Sequence, residues 1–197
     1  MKKVVLMGDS IRLSYQERVR ELLADVADVV WPKQNGAYTM DTIWAVRDWF
    51  RDNGWGPVDL IHWNNGIWEH HRTLDDGEPL TTPEEYLYLN RRLHRQLKRY
   101  TDNLIWATTT PAGLCYKYNK DGRDAVSRDE WNRENELYNA LVSAYLTEQG
   151  VEIDDLWALM NEHLDYICED GFHLNPAGVE AAANQVAACI RAKLLRN

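Results

Sequence analysis

The chain begins with the stretch KVVLMGDSI, residues 3–11, in which an apolar run leads directly into a short polar turn. Residues 3–7 predict a buried β-strand, because the run is short, apolar and closed by a glycine. A helix is predicted over residues 13–24, where Val19, Leu22 and Leu23 share one face. A strand that turns straight into a helix is the first half of a βαβ unit, which indicates a parallel sheet.

The same alternation of short apolar runs and helical periodicity continues to the C-terminus. Two later helices begin with a capping box, Thr82 with Glu85 and Ser127 with Glu130. The other predicted elements are strands at residues 26–31, 58–63, 104–108 and 151–153, a helix at residues 42–50, and a last helix opened by Asn175-Pro176 and ending at Leu195. The pattern predicts one domain, residues 1–197, built as a three-layer α/β/α sandwich. We expect about five parallel strands, within the usual range for a sheet.

Composition and charge narrow the class of protein. With 197 residues, 45% of them hydrophobic, the chain is long and apolar enough to bury a core. A net charge of −9 argues against a nucleic-acid partner, since phosphate binding needs a basic face. No apolar run reaches the roughly 18 residues that predict a transmembrane helix. Cys115, Cys168 and Cys189 lack metal-like spacing and indicate reduced, mostly buried thiols in a cytoplasmic protein, unless a secretory leader has been trimmed.

Ser10 stands where the first predicted strand becomes a helix. In a parallel sheet this places its hydroxyl at the rim, and its N–H belongs to a helix N-terminus that favours negative charge. Such an N–H can stabilise the oxyanion of an acyl-transfer reaction. The alternative is purely structural, because serine and aspartate are the commonest helix N-caps and either Ser10 or Asp9 could serve as one.

Asp170 and His173 lie together in the loop before the last helix. A three-residue step through a turn lets the Asp170 carboxylate reach the Nδ1–H of His173, which leaves Nε2 to take a proton from a serine hydroxyl. Taken separately, His173 could be an ordinary loop histidine and Asp170 a turn former beside Gly171. Together with Ser10, the pair predicts a nucleophilic serine with an aspartate–histidine partner.

These segments resemble a known family. GDSI at residues 8–11, Asn35-Gly36, and DGFH at residues 170–173 are similar, in this order, to the conserved blocks of the SGNH or GDSL hydrolases. The resemblance implies a flavodoxin-like fold and hydrolysis of acyl esters of carbohydrates, lipids or other small molecules, without metal or cofactor. It also implies that Ser10 is the nucleophile, His173 the base and then the acid, and Asp170 the group that orients His173. Gly36 would supply a backbone N–H to the oxyanion, or would simply be a turn glycine.

One block departs from the family pattern. The third strand of these hydrolases usually ends in Gly-x-Asn-Asp, whose asparagine side chain donates to the oxyanion, whereas this chain reads NNGIWE at residues 64–69. We expect Asn65 to supply the missing amide, because it ends the predicted strand and precedes the glycine. Asn64 and the indole N–H of Trp68 are the alternatives. Both asparagines could instead only shape the turn.

Other candidate residues carry weaker signals. Trp68, in the loop after the third strand, is expected to stack on a sugar ring or to line an acyl pocket. Arg12 could bind an anionic substrate or form a surface salt bridge. A metal site is not expected, because the histidines near Glu69 and elsewhere lack ligand spacing, and no dinucleotide-binding fingerprint follows the first strand. Three tryptophans are expected in the core: Trp44, Trp49 and Trp131.

The sequence therefore predicts a serine esterase that removes small acyl groups, acetyl above all, from a carbohydrate or another small molecule through an acyl-enzyme. A lysophospholipase or thioesterase is an alternative, although the polar loop at residues 72–82 does not suggest a long acyl groove. A ligand-binding domain of the same fold without catalysis is the other alternative. The oligomeric state is left open.

Overall fold

A computed structural model of the protein describes residues 1–72, 76–117 and 126–196. Its centre is a parallel sheet with the strand order β2-β1-β3-β4-β5. The strands are β1 (Lys2–Met7), β2 (Ala27–Val30), β3 (Leu60–Asn64), β4 (Leu104–Ala107) and β5 (Glu152–Asp154). This is the strand order of flavodoxin-like sheets, so the predicted fold class is confirmed.

Helices cover both faces of the sheet. They are α1 (Ser10–Leu22), α2 (Thr39–Asp52), α3 (Pro83–Leu97), α4 (Arg128–Glu148), α5 (Leu156–Glu162) and α6 (Pro176–Arg196), with short 3₁₀ helices at Ile67–His70 and Leu164–Tyr166. Side chains alternate across β1: Val4 and Leu6 pack with residues of α1 and α6, whereas Val5 and Met7 pack with residues of α2, α3 and α4. Successive strand residues point to opposite faces, and this alternation produces the three layers.

The capping boxes at Thr82 and Ser127 are confirmed, and α3 and α4 begin directly after them. The first helix starts earlier than predicted, at Ser10, because the Asp9 carboxylate caps it by accepting from the Ile11 N–H at 3.0 Å. Helix α5 was not predicted. It is a short helix of seven residues capped by Asp155, too short for a clear periodic pattern.

Two predictions about burial are wrong. Trp49 and Trp131 are buried as expected, but Trp44 is 84% exposed. On α2 the residues that face the sheet include Ile43 and Val46, and Trp44 lies on the opposite side of the helix. The cysteines are free, yet none is buried: Cys115 is exposed, and Cys168 and Cys189 are partly exposed.

Among the described residues, no helix is long and apolar enough to cross a membrane.

Candidate active site

The turn between β1 and α1 carries Ser10 to the edge of the sheet. Gly8 has a φ of 149°, and a Cβ at this position would lie 2.0 Å from Asn64 Oδ1. Only glycine therefore allows the ends of β1 and β3 to approach this closely. Asn64 also donates from Nδ2 to Asp9 Oδ1 at 2.8 Å, and Asp9 is the cap of α1. The third strand thus holds the turn that positions Ser10.

The structure brings Ser10, His173 and Asp170 into one chain of hydrogen bonds. His173 Nε2 lies 2.8 Å from Ser10 Oγ, and His173 Nδ1 lies 2.6 Å from Asp170 Oδ2. The other carboxylate oxygen of Asp170 accepts from the N–H groups of Phe172 and His173, both at 2.9 Å. The side chains of Asp170 and His173 are about half exposed. Three hydrogen bonds therefore hold the Asp170 carboxylate, although its side chain is partly exposed.

The environment of Asp170 favours its charged form. Partial burial by itself raises the pKa of Asp170, but the two backbone N–H groups and the imidazole of His173 outweigh it and hold the pKa below its usual value. An ionised Asp170 accepts a hydrogen bond from the Nδ1–H of His173. Nε2 is then the acceptor for the Ser10 hydroxyl, which is the arrangement that a general base requires.

The backbone N–H of Ser10 is available to a ligand. Asp9 takes the capping role, so the Ser10 hydroxyl is free to bond with His173 instead of closing the helix. In the described part of the chain, no oxygen accepts from the Ser10 N–H. Unsatisfied N–H groups give a helix N-terminus its partial positive charge. A developing oxyanion beside Ser10 would meet this charge.

Gly36 does not offer its N–H in this arrangement. That group donates to the carbonyl of Gly8 at 2.8 Å, and a Cβ on Gly36 would lie 2.8 Å from the same carbonyl oxygen. The expectation that Gly36 serves as an oxyanion donor is therefore corrected. The loop after β2 packs directly on the turn before Ser10, and the Gly36 N–H satisfies a backbone carbonyl there.

Asn65 is also corrected as an oxyanion donor. Its side chain is fully buried and its Nδ2 donates to Thr42 Oγ1 at 3.2 Å, which in turn donates to the Gly36 carbonyl. Its backbone carbonyl accepts from the hydroxyls of Tyr86 and Thr109. Asn65 thus connects β3 to the neighbouring loops and helices. Since Asn64 bonds to Asp9, both asparagines support the turns rather than face the substrate side.

The prediction for Arg12 is wrong in both of its forms. Arg12 is fully buried, so it is neither a surface ion pair nor open to a substrate. Its guanidinium donates to the carbonyls of Gly8 and Gln34 at 3.2 and 2.8 Å. It therefore ties α1 to the turn before Ser10 and to the loop after β2. Burial lowers the pKa of Arg12 to about 10, which leaves the side chain cationic at neutral pH.

A cavity of about 390 Å³ opens in front of Ser10. Its walls include Trp68 and Phe172, together with Asn35 from the loop after β2. Of the three side chains considered for the missing oxyanion donor, Trp68 is the one that reaches this cavity. Trp68 is held edge-on against Tyr38, with ring centroids 5.3 Å apart.

Asn35 is a polar wall residue that the sequence reasoning did not single out. Its Oδ1 accepts from the Ala37 N–H at 2.8 Å, which fixes the amide group. Its Nδ2 makes no hydrogen bond to the described residues, and Asn35 is part of the cavity lining. The available signal was its place beside Gly36 in a loop at the carboxyl end of a strand, where ligand-binding residues gather.

The sequence matches no protein-family model and no curated protein sequence. In three dimensions the chain is similar to an alpha/beta hydrolase from the metagenome of Lake Arreo, Spain, with a TM-score of 0.74, 17% identity and coverage of 95% of this chain and 94% of that chain. An acetylxylan esterase from Geobacillus stearothermophilus gives a TM-score of 0.74 at 19% identity, over 96% and 94% of the two chains. Another acetyl xylan esterase gives 0.71 at 15% identity, over 95% and 99%. The chain shares the fold of these hydrolases.

The residues once considered for metal binding are dispersed in this fold. Over residues 1–72, 76–117 and 126–196, no three His, Cys, Asp or Glu side chains converge as a metal site requires. His62 pairs with Asp154 at 2.9 Å inside the protein, and His94 contacts the hydroxyl of Tyr145 at 3.0 Å. His71 does reach the cavity in front of Ser10, where it is a neighbour of Trp68.

Proposed function

We propose that this protein is a serine hydrolase of carboxylic esters and belongs mechanistically with the SGNH type. The observation that carries the proposal is the unbroken relay from Ser10 Oγ through His173 to Asp170, at the mouth of a cavity. Nucleophile, base and orienting group are all within hydrogen-bonding distance, which is the signature of nucleophilic catalysis.

In the proposed reaction Ser10 Oγ attacks the ester carbonyl carbon while His173 Nε2 takes the hydroxyl proton. The resulting imidazolium is stabilised by the Asp170 carboxylate. Collapse of the tetrahedral intermediate breaks the bond to the alcohol oxygen, which receives the proton from His173. Water then attacks the acyl carbon with His173 again as base. The bond to Ser10 Oγ breaks, the carboxylic acid leaves, and His173 returns the proton to the Ser10 hydroxyl. These steps use only side chains of this chain and water.

The oxyanion donors in this proposal are the N–H of Ser10 and the Nδ2 of Asn35. The first lies at the N-terminus of α1, and the second belongs to a residue in the cavity lining whose amide oxygen accepts from the Ala37 N–H. Gly36 and Asn65 donate their N–H groups to other protein atoms, so neither is proposed as an oxyanion donor. The indole of Trp68 remains the competing donor.

The proposed substrate is a small acyl ester, an acetyl ester of a carbohydrate being the preferred case. Trp68 and Phe172 give the cavity aromatic walls on which a sugar ring can stack, and a cavity of about 390 Å³ suits a small molecule. Two of the structural neighbours are described as acetyl xylan esterases. A lysophospholipase or thioesterase would need a longer acyl groove than this cavity.

Labelling with a fluorophosphonate separates an esterase from a binding domain of the same fold. We expect covalent labelling of the parent protein at Ser10 and none of Ser10→Ala. Ser14→Ala is the matched control, because Ser14 lies on the same helix and its hydroxyl bonds to the Ile11 carbonyl instead of a histidine. A correctly folded parent protein that is not labelled and does not hydrolyse p-nitrophenyl acetate would overturn the proposal.

A further inference from the structure

A second cavity, of about 460 Å³, has Tyr38 in its lining, and the Tyr38 ring contacts Trp68, which lines the Ser10 cavity. Its walls are mainly apolar and come from α2, α3 and the segment before α3: Tyr38, Met40, Leu80, Tyr88 and Leu89. Its volume lies within the roughly 300–1,000 Å³ typical of small-molecule sites, and such sites usually combine apolar walls with a few polar groups. The proposed hydrolysis makes no use of this cavity.

Glu69 is one of the acidic residues in the lining of the second cavity. Glu69 is fully buried, and its Oε1 accepts from the Thr39 N–H at 2.6 Å. Among the described residues, its Oε2 has no hydrogen-bond partner. A buried carboxyl oxygen without a partner is costly. A ligand that brings a hydrogen-bond donor to this oxygen would remove that cost.

The charges of the second cavity favour a cation. Glu69 and Glu85 both belong to its lining, and none of the described lining residues is a lysine, arginine or histidine. The rings of Tyr38 and Tyr88 add aromatic surface, which attracts ammonium groups through its negative face. Arg92 already uses this property from outside the cavity, with its guanidinium carbon 5.8 Å from the centre of the Tyr88 ring.

We propose that the second cavity binds an organic ammonium ion, a small apolar body bearing one protonated primary amine that donates to Glu69. The apolar walls would receive the body, and Glu69 and the tyrosine rings would receive the charge. A polyhydroxylated ligand fits less well, because most of its hydroxyls would face apolar side chains without partners.

The ionisation of Glu69 is consistent with this assignment. Burial raises the pKa of Glu69 to about 7, although bonds from Thr39 lower it. Near neutral pH the carboxyl is therefore easily ionised by a nearby cation, which stabilises the charged form. The proposal does not depend on ester hydrolysis, because the ligand contacts Glu69 rather than Ser10.

Calorimetric titration with a matched pair of probes tests the proposal. Cyclohexylmethylammonium and the neutral cyclohexylmethanol have the same apolar body, and at pH 8 an amine of lysine-like basicity is protonated. We expect the parent protein to bind the ammonium probe at least about tenfold more tightly, the effect of one charge-assisted contact. Glu69→Gln should abolish this preference, whereas Glu84→Gln, outside the cavity lining, should keep it.

A second variant covers the case in which Glu69→Gln does not fold. Leu80→Trp fills the cavity at a half-exposed position without changing Glu69, and it should weaken both probes while the circular dichroism spectrum stays unchanged. Equal affinity of the parent protein for the two probes, absence of binding, or an ammonium preference that survives in folded Glu69→Gln would each overturn the proposal. Ser10→Ala should bind the ammonium probe normally, so a failure here is distinguishable from a failure of the esterase proposal.

Discussion

His173 Nε2 lies 2.8 Å from Ser10 Oγ although 163 residues separate the two in the chain. Helices α1 and α6 pack side by side on one face of the sheet, so the start of α1 and the loop before α6 meet at the same edge. Because the carboxyl ends of parallel strands share that edge, the first βα turn and the last loop converge there. The contact is therefore a consequence of the sheet topology.

Ser10→Ala is expected to reduce hydrolysis of p-nitrophenyl acetate by roughly a thousandfold or more, since no other hydroxyl can replace the nucleophile. Stability should change by no more than about 0.5 kcal/mol, because a partly exposed side chain leaves no core cavity. Turnover and chemical unfolding are measured on the same preparation, with Ser14→Ala as control. Loss of activity in proportion to unfolding would assign Ser10 a structural role instead.

Asp170→Asn tests whether Asp170 orients the imidazole. The amide can keep the turn by accepting from the N–H groups of Phe172 and His173. Its N–H₂ group can also donate to Nδ1, which leaves the ring proton on Nε2, so that Nε2 can no longer accept from the Ser10 hydroxyl. Turnover should fall by roughly a hundred- to ten-thousandfold with the melting temperature nearly unchanged. The control is Glu169→Gln, one residue away. Turnover equal to that of the parent protein would exclude Asp170 from the relay.

Asn35→Ala is expected to lower kcat by about ten- to a thousandfold, the range for losing one oxyanion donor, with little change in KM or stability.

Asn65→Ala should instead lower the stability and leave kcat unchanged. It removes a buried bond to Thr42 and should cost about 1–2 kcal/mol of stability while the folded fraction keeps its turnover. Trp68→Phe completes the set. A loss of kcat confined to Trp68→Phe would move the donor role from Asn35 to the indole.

Glu69 should make the folded protein less stable as the pH rises. Its pKa is raised from 4.5 to about 7 on folding, mainly by burial. Between these values the unfolded chain releases the proton while the folded protein keeps it, so the stabilising contribution is complete below the unfolded pKa and is lost as the pH rises through the folded one. The stability of the parent protein relative to Glu69→Gln should therefore fall by as much as about 3 kcal/mol from pH 4.5 to pH 8. Urea unfolding across this range measures the difference, and a constant difference would contradict it.

Local patterns in the sequence determined the elements and their order. The run before Gly8 predicted β1, and the boxes at Thr82 and Ser127 predicted where α3 and α4 begin, because each signal depends on neighbours within a few residues. The same locality placed Asp170 and His173 in one loop. These features are encoded by short-range sterics and hydrogen bonding, which a single sequence displays directly.

The tertiary structure determined which polar groups hydrogen-bond to other protein atoms and which have no partner. Gly36 and Asn65 were reasonable donors by position, but Gly8 and Thr42 accept their N–H groups across distances in sequence that no local pattern reveals. Arg12 is buried against backbone carbonyls instead of facing solvent. Glu69 is fully buried and its Oε2 has no partner among the described residues, which its place in the sequence does not reveal. Hydrogen-bond satisfaction is a property of the packed chain, since each donor takes whichever acceptor folding brings within reach.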